Sequence, residues 1–161
     1  MNWRYFGSAG RPKYEDIPYP VRFTRAQQGV NHHVKSIFQT DRIERGSLNA
    51  HYVIPKIGFC EIDSNYNPEG FPLWSNPRLP ADVIHLNHYK SKTFEEFVWS
   101  TERGRADAFK DEKTRILVKP KQRVKVFQRY DHNAVEDLVA HDFWMKHVES
   151  FDFTKPRRRK N

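Results

Sequence analysis

At 161 residues the chain is long enough to bury one domain's core, and its 37% hydrophobic and 14% aromatic content excludes a disordered polymer. A single cysteine, Cys60, excludes an internal disulfide and a cysteine-rich zinc site, so a reducing compartment is the default. The formal net charge of +8 favours anionic partners such as phosphates, nucleic acid or an acidic membrane face without choosing among them, and a basic domain with no charge-read partner fits equally well.

Asn2 to Gly10 places Trp3, Tyr5 and Phe6 on a short strand or irregular segment broken at Gly7, Ser8 and Gly10. Glycines after aromatics suit a loop whose backbone approaches a ligand closely, and Trp3 suits either stacking on a ring or anchoring a sheet edge. Arg11 to Tyr19 is a proline-punctuated charged loop. Its acids Glu15 and Asp16 are weak candidates for a general base, since acids in such loops are mostly solvated. Val21 to Ala26 leads into a turn at 27–29, and a strand is expected over Val34–Phe38. Adjacent His32 and His33 point to opposite faces of an extended chain and do not readily share a metal.

From Thr40 to Pro80 five prolines and several turn residues mark a long loop region, which in a small domain tends to be functional or mobile. The Glu61–Asp63 triplet lies here. Val83, Ile84 and Leu86 read as a short buried strand, followed by a polar switch from Asn87 to Lys92. Thr93 with Glu96 forms a capping box, Phe94, Phe97, Val98 and Thr101 share one helical face, and Gly104 marks the C-cap. His88 and Lys92 thus stand where a strand hands over to a helix N-terminus, a place that favours phosphate. Lys92 is a candidate phosphate contact and His88 a candidate metal ligand, although a lone histidine there is more often structural. Beyond Asp107, residues 115–118 and 124–127 suit two strands. Asn133 with Glu136 suggests a second capped helix, running to about Val148. His141 and His147 are six apart, not the i, i+4 spacing that puts two ligands on one face. Residues 1–150 read as one domain and 151–161 as a basic tail expected to be flexible.

Three blocks carry a family resemblance. The segment LNHYKSKTFEEFVWSTERGRAD (86–107) resembles the Asn-His-Tyr, Lys-Ser/Thr, helix, Arg-Gly-x-Ala-Asp block of family 92 glycosyltransferases and their bacterial family-2-like relatives. NWRYFGSAG (2–10) with PVRFTRA (20–26) is similar to their Trp-x-x-Phe-Gly-Ser block and Arg-Phe-Thr segment, and HHVKSIFQTDRI (32–43) to their Lys-Ser-Ile/Leu strand and loop. Together they span roughly residues 2 to 107 in the family's order.

The resemblance implies an α/β fold, the C-terminal portion of a GT-A-like domain with a mixed sheet, flanking helices and long loops. It implies metal-dependent, inverting transfer from a nucleotide sugar to a glycan or other hydroxyl acceptor. Trp3, Phe6, Gly7, Ser8, Lys35, Lys92, Arg103 and Arg105 would face donor or acceptor, and a divalent cation, Mn2+ by the family pattern, would meet His88 or alternatively His51. Asp107 would orient an arginine. The family's Asp-x-Asp motif precedes the Trp-x-x-Phe-Gly-Ser block, so the Glu61–Asp63 triplet is not that motif, and the nucleotide-binding half stands outside this sequence. The isolated chain is therefore expected to be inactive unless a second polypeptide supplies that half. Val21 stands where some relatives carry an acid, which leaves the base open.

The alternative is a small basic nucleic-acid-binding or structural interaction module. Acids mixed through every segment count against nucleic acid. No apolar run approaches the roughly 18 residues of a membrane span, and the polar N-terminus is unlike a signal peptide. The expected location is cytoplasmic, with peripheral membrane association left open.

Overall fold

The computed structural model describes residues 1–46, 51–68, 75–81, 83–104 and 118–148, and shows mixed helix and strand content with small sheets. In chain order the elements are β1 (Asn2–Tyr5), α1 (Tyr19–Arg22), β2 (Arg25–Ala26), β3 (Asn31–Val34), β4 (Ile43–Gly46), β5 (Val53–Pro55), β6 (Leu86–His88), α2 (Phe94–Arg103), α3 (Arg123–Tyr130), β7 (Val135–Glu136) and α4 (Val139–His147). Strand β1 lies between β3, antiparallel, and β6, parallel, with Trp3 opposite Leu86 and Tyr5 opposite His88. Strands β2 and β7 pair, as do β4 and β5. Among the described residues no helix is long and apolar enough to cross a membrane.

Alternation along β1 separates two environments. Phe6, which bridges to Ala26, turns into the core with Phe23, against Tyr89 and Val135. Trp3 and Tyr5 turn the other way, toward a cluster of imidazoles. Helix α2 begins as its sequence dictates: the Thr93 hydroxyl accepts from Glu96 N–H, the Glu96 carboxylate accepts from Thr93 N–H, and Gly104 ends the helix at φ 75°. Phe94 and Phe97 then meet Phe127 of α3 edge-on, with centroids 5.2 and 5.5 Å away.

Glu96 also grips Arg22 through two 3.0 Å hydrogen bonds. The guanidinium lies within 5.2 Å of the ring centroids of Tyr14, Tyr19 and Phe23, so this pair fastens the proline-rich loop to α2.

Several expected elements are placed differently. The strand expected at Val83–Leu86 is Leu86–His88, because pairing with Trp3–Tyr5 sets its register and leaves Val83 and Ile84 exposed. Likewise β3 is Asn31–Val34 rather than 34–38. The His32 and His33 rings do not diverge but stack at 4.3 Å. Asn31 Oδ1 accepts from the His33 backbone N–H, bending the chain locally where the β1 register also shifts. Residues 124–127 lie in a helix, where Phe127 packs edge-on against Phe94 and Phe97 of α2.

No helix starts at Asn133. Its amide oxygen accepts instead from Ala9 N–H, Val135–Glu136 joins β2, and the helix begins at Val139 beside Asp137. Arg105, Asp107, most of the strand expected at 115–118, and the basic tail lie outside the described residues.

Candidate functional site

The second face of β1 gathers most of the histidines that the sequence singled out. Around the Trp3 indole lie His88 at 4.3 Å, His51 at 5.1 Å and His33 at 5.3 Å between centroids, with interplanar angles of 20–35°. Three near-parallel imidazoles at stacking distance take up much of the indole's ring surface, so Trp3 packs against its own chain rather than presenting an open platform. Below it Tyr5 meets His88 edge-on at 5.2 Å and His132 stacked at 5.6 Å.

His51 Nδ1 lies 2.6 Å from the Val34 carbonyl and His33 Nδ1 2.5 Å from Asn31 Oδ1. Each acceptor requires the proton on Nδ1, which puts the ring's lone pair on Nε2.

His88 ends β6. Its Nδ1 is buried with no hydrogen-bond partner other than its own carbonyl. Burial first, then the charge of Lys90, with smaller contributions from His33 and Lys35, push its pKa down to about 4. It is therefore a neutral imidazole at pH 7. His33 is shifted the same way by burial and by His32, His51 and Lys90. Trp3 Nε1–H is a second buried polar group without a partner among the described residues. Such groups are uncommon in folded proteins because each forfeits its hydration.

The cation beside His88 is Lys90, which sequence reasoning did not select. Its Nζ sits 3.6 Å from the Tyr130 ring centroid and 5.8 Å from that of Tyr5. The Lys90 N–H donates to the His88 carbonyl at 3.0 Å, and this tight turn keeps the two residues together. Lys92 does not join them. It adopts φ 55°, and its ammonium hydrogen-bonds the Tyr19 hydroxyl at 2.7 Å and covers that ring. The expected pairing of His88 with Lys92 is thus replaced by His88 with Lys90.

The remaining candidates are dispersed. Phe6, 1% exposed, belongs to the core, so the ligand-facing role expected for it is corrected by the alternation of β1. Gly7 admits close approach, but of its own chain: a Cβ there would meet the His132 carbonyl and the Asn133 side chain. Ser8 is buried, and both its N–H and its hydroxyl donate to Asp131, so neither faces a ligand. Asp131 and Asn133, which fix this turn, left no signal in the sequence because their partners are more than a hundred residues away.

Lys35 is half-buried and exchanges backbone hydrogen bonds with Met1. Glu15 forms a two-pronged ion pair with Arg11, and Asp16 accepts from the Tyr14 hydroxyl. Arg103 closes α2, about 14 Å along the helix axis from its first residue, Phe94.

Among the described residues no group of three or more His, Cys, Asp or Glu side chains is placed to hold a metal ion. His88 and His51 both face Trp3, and among the described residues no carboxylate joins them in such a group. These residues do not form a complete cation site. Comparison with protein-family models, with curated proteins and with solved structures finds no match to this chain.

Proposed function

We propose that the chain is part of a glycosyltransferase of the GT-A type, and that the face around Trp3, His88 and Lys90 meets the activated sugar and its phosphates. One observation carries this reading. The Trp-x-x-Phe-Gly-Ser and Asn-His-Tyr blocks are distant in sequence yet pair as adjacent parallel strands, with the Trp3 and His88 rings 4.3 Å apart. Blocks that a family shares for chemistry are expected to converge in space, and these do.

The chemistry asked of this chain is electrostatic. Displacement at an anomeric carbon leaves a nucleoside diphosphate whose growing negative charge must be met by fixed donors and cations. Lys90, pinned over two tyrosine rings, supplies charge without the entropy loss of a free lysine. The unpartnered Trp3 Nε1–H supplies a donor, and neutral His88 supplies a ring that accepts a proton or hydrogen bond without adding charge. A divalent cation, which the family resemblance implies, would add positive charge at the diphosphate, with His88 or His51 as its ligand on this face.

Saturation-transfer NMR of the purified 161-residue chain with UDP-glucose, UDP-galactose and UDP-N-acetylglucosamine tests the reading. Transfer to sugar and phosphate-proximal protons is expected, and Lys90→Ala and His88→Ala should each diminish it. Absence of transfer from all three nucleotide sugars, with and without Mn2+, removes the assignment.

A further inference from the structure

The outward side of α4 is apolar where a surface helix is ordinarily polar. Val139 is 77% exposed, Phe143 60% and Met145 54%, and Leu138, which precedes the helix, is exposed as well. At about 3.6 residues per turn these four fall within one half of the helix. Ala140, Trp144 and Val148 fall in the other half and are more covered, and α4 packs on α1. Lone exposed apolar side chains are ordinary, but four together along a helix of nine residues form a patch of the kind that another molecule or phase covers.

Cations accompany this patch. Lys146 lies on the same side, and the acid that shares it, Asp142, is engaged by His141, whose Nδ1 lies 2.8 Å from Asp142 Oδ1. At α1 the Lys92 ammonium sits on the Tyr19 hydroxyl. In the sequence Lys155, Arg157, Arg158, Arg159 and Lys160 follow α4, with no acid after Asp152. Lys155 comes eight positions after His147, a reach of at most about 28 Å, so these cations are tethered within range of a surface that α4 touches.

The two features together select the partner. Nucleic acid would meet the cations and leave Val139 and Phe143 facing water. A protein with an apolar groove would cover α4 and make no use of the run of arginines. An anionic bilayer takes both, the apolar side entering the acyl boundary while the cations meet the headgroups. One such signal gives marginal attachment, and two give stable attachment.

We infer that the protein docks on an anionic membrane surface through the Val139, Phe143 and Met145 side of α4, with the basic residues 155–160 as the electrostatic half of the contact. The inference concerns attachment and does not rest on the Trp3 face. It survives if nucleotide sugars fail to bind, and it fails separately.

The test is co-sedimentation of the whole chain with vesicles of phosphatidylcholine and with vesicles of equimolar phosphatidylcholine and phosphatidylserine. Binding should favour the acidic vesicles and fall as salt is raised. Phe143→Ser should weaken it about tenfold by removing one inserted ring, and Val139→Ser should weaken it less, both with an unchanged melting curve because these side chains lie outside the core. Replacing Arg157, Arg158 and Arg159 together by alanine should weaken it about a hundredfold, at about fivefold per cation. The Trp3→Phe variant should bind as the parent does. Absence of binding to the acidic vesicles, binding indifferent to both α4 substitutions, or binding indifferent to loss of the three arginines would each overturn the inference. So would retardation of duplex DNA without vesicle binding, which assigns the cations to nucleic acid, or self-association abolished by Phe143→Ser without vesicle binding, which assigns the patch to a second copy of the chain.

Discussion

Glu96→Ala removes several contacts at once. The Glu96 carboxylate holds Arg22 through two 3.0 Å hydrogen bonds and accepts from both the hydroxyl and the N–H of Thr93. The Arg22 and Glu96 side chains are 1% and 7% exposed, so the substitution strands a guanidinium among Tyr14, Tyr19 and Phe23 with little access to water. Leaving one member of a buried pair costs about 3–5 kcal/mol, and weakening a helix cap about 1 kcal/mol. The two overlap at one carboxylate, so the expected loss is about 4 kcal/mol. That is a large share of an ordinary domain's stability and corresponds to a melting temperature lowered by roughly 10 °C.

Urea unfolding followed by tryptophan fluorescence measures the loss, and Glu96→Gln, whose amide oxygen still accepts one of the two Arg22 bonds, should lose less. Burial alone would raise the Glu96 pKa, but hydrogen bonds from Arg22 and Thr93 bring it below the ordinary carboxylate value. The pair's contribution is therefore present above about pH 4.5 and lost as pH falls through the lower folded value. A loss under 1 kcal/mol for Glu96→Ala, with unchanged urea dependence, would refute the clamp.

The histidine face adds acid sensitivity of the same sign, with the uncharged form being the one held. His88 is held neutral, with its pKa lowered from 6.5 to about 4, so its contribution is intact above pH 6.5 and declines as pH falls toward 4. The full shift corresponds to about 3 kcal/mol, which partial exposure reduces to about 1–2 kcal/mol; His33 adds in the same direction. Stability of His88→Gln measured by urea unfolding should vary less than that of the parent over this interval, and equal slopes would count against a buried neutral imidazole. Gly7→Ala should destabilise by about 1–3 kcal/mol, because the added methyl meets the His132 backbone carbonyl, which cannot swing aside; an unchanged melting curve would contradict that packing. Asp131→Ala should cost about 1.5–3 kcal/mol by leaving the Ser8 N–H and hydroxyl unpaired, and should raise amide exchange at Ser8 and Ala9.

Local chemistry was legible in the sequence where its partners were local. The Thr93–Glu96 box and Gly104 announced α2, and both termini lie where those residues place them. The same signature at Asn133 and Glu136 was outbid by tertiary contacts, since Ala9 takes the Asn133 oxygen and β2 takes Val135–Glu136. In Val124–Lys125–Val126–Phe127 alternation and helical spacing coincide, and packing on Phe94 and Phe97 decides for the helix.

The candidate site was half legible. His88 and Trp3 were named from their blocks, whereas alternation places Lys90 and Lys92 on the same side as His88, and only the turn closed by Lys90 N–H on the His88 carbonyl and the Tyr130 ring single out Lys90. No spacing rule indicates Asp131, whose partner Ser8 lies at the other end of the chain. Alternation sets Phe6 and Ser8 opposite Trp3, but nothing local says which of the two faces is the core.

The most direct test of the Trp3–His88 face is the indole N–H spectrum. The chain has four tryptophans, so a 15N-labelled sample gives four indole signals, and Trp3→Phe identifies one of them. Because Trp3 Nε1–H has no acceptor among the described residues, titration with UDP-glucose should move that signal downfield while the other three stay nearly fixed, and Lys90→Ala should weaken the response. A Trp3 signal that stays in place at saturating UDP-glucose, with and without Mn2+, would contradict the account.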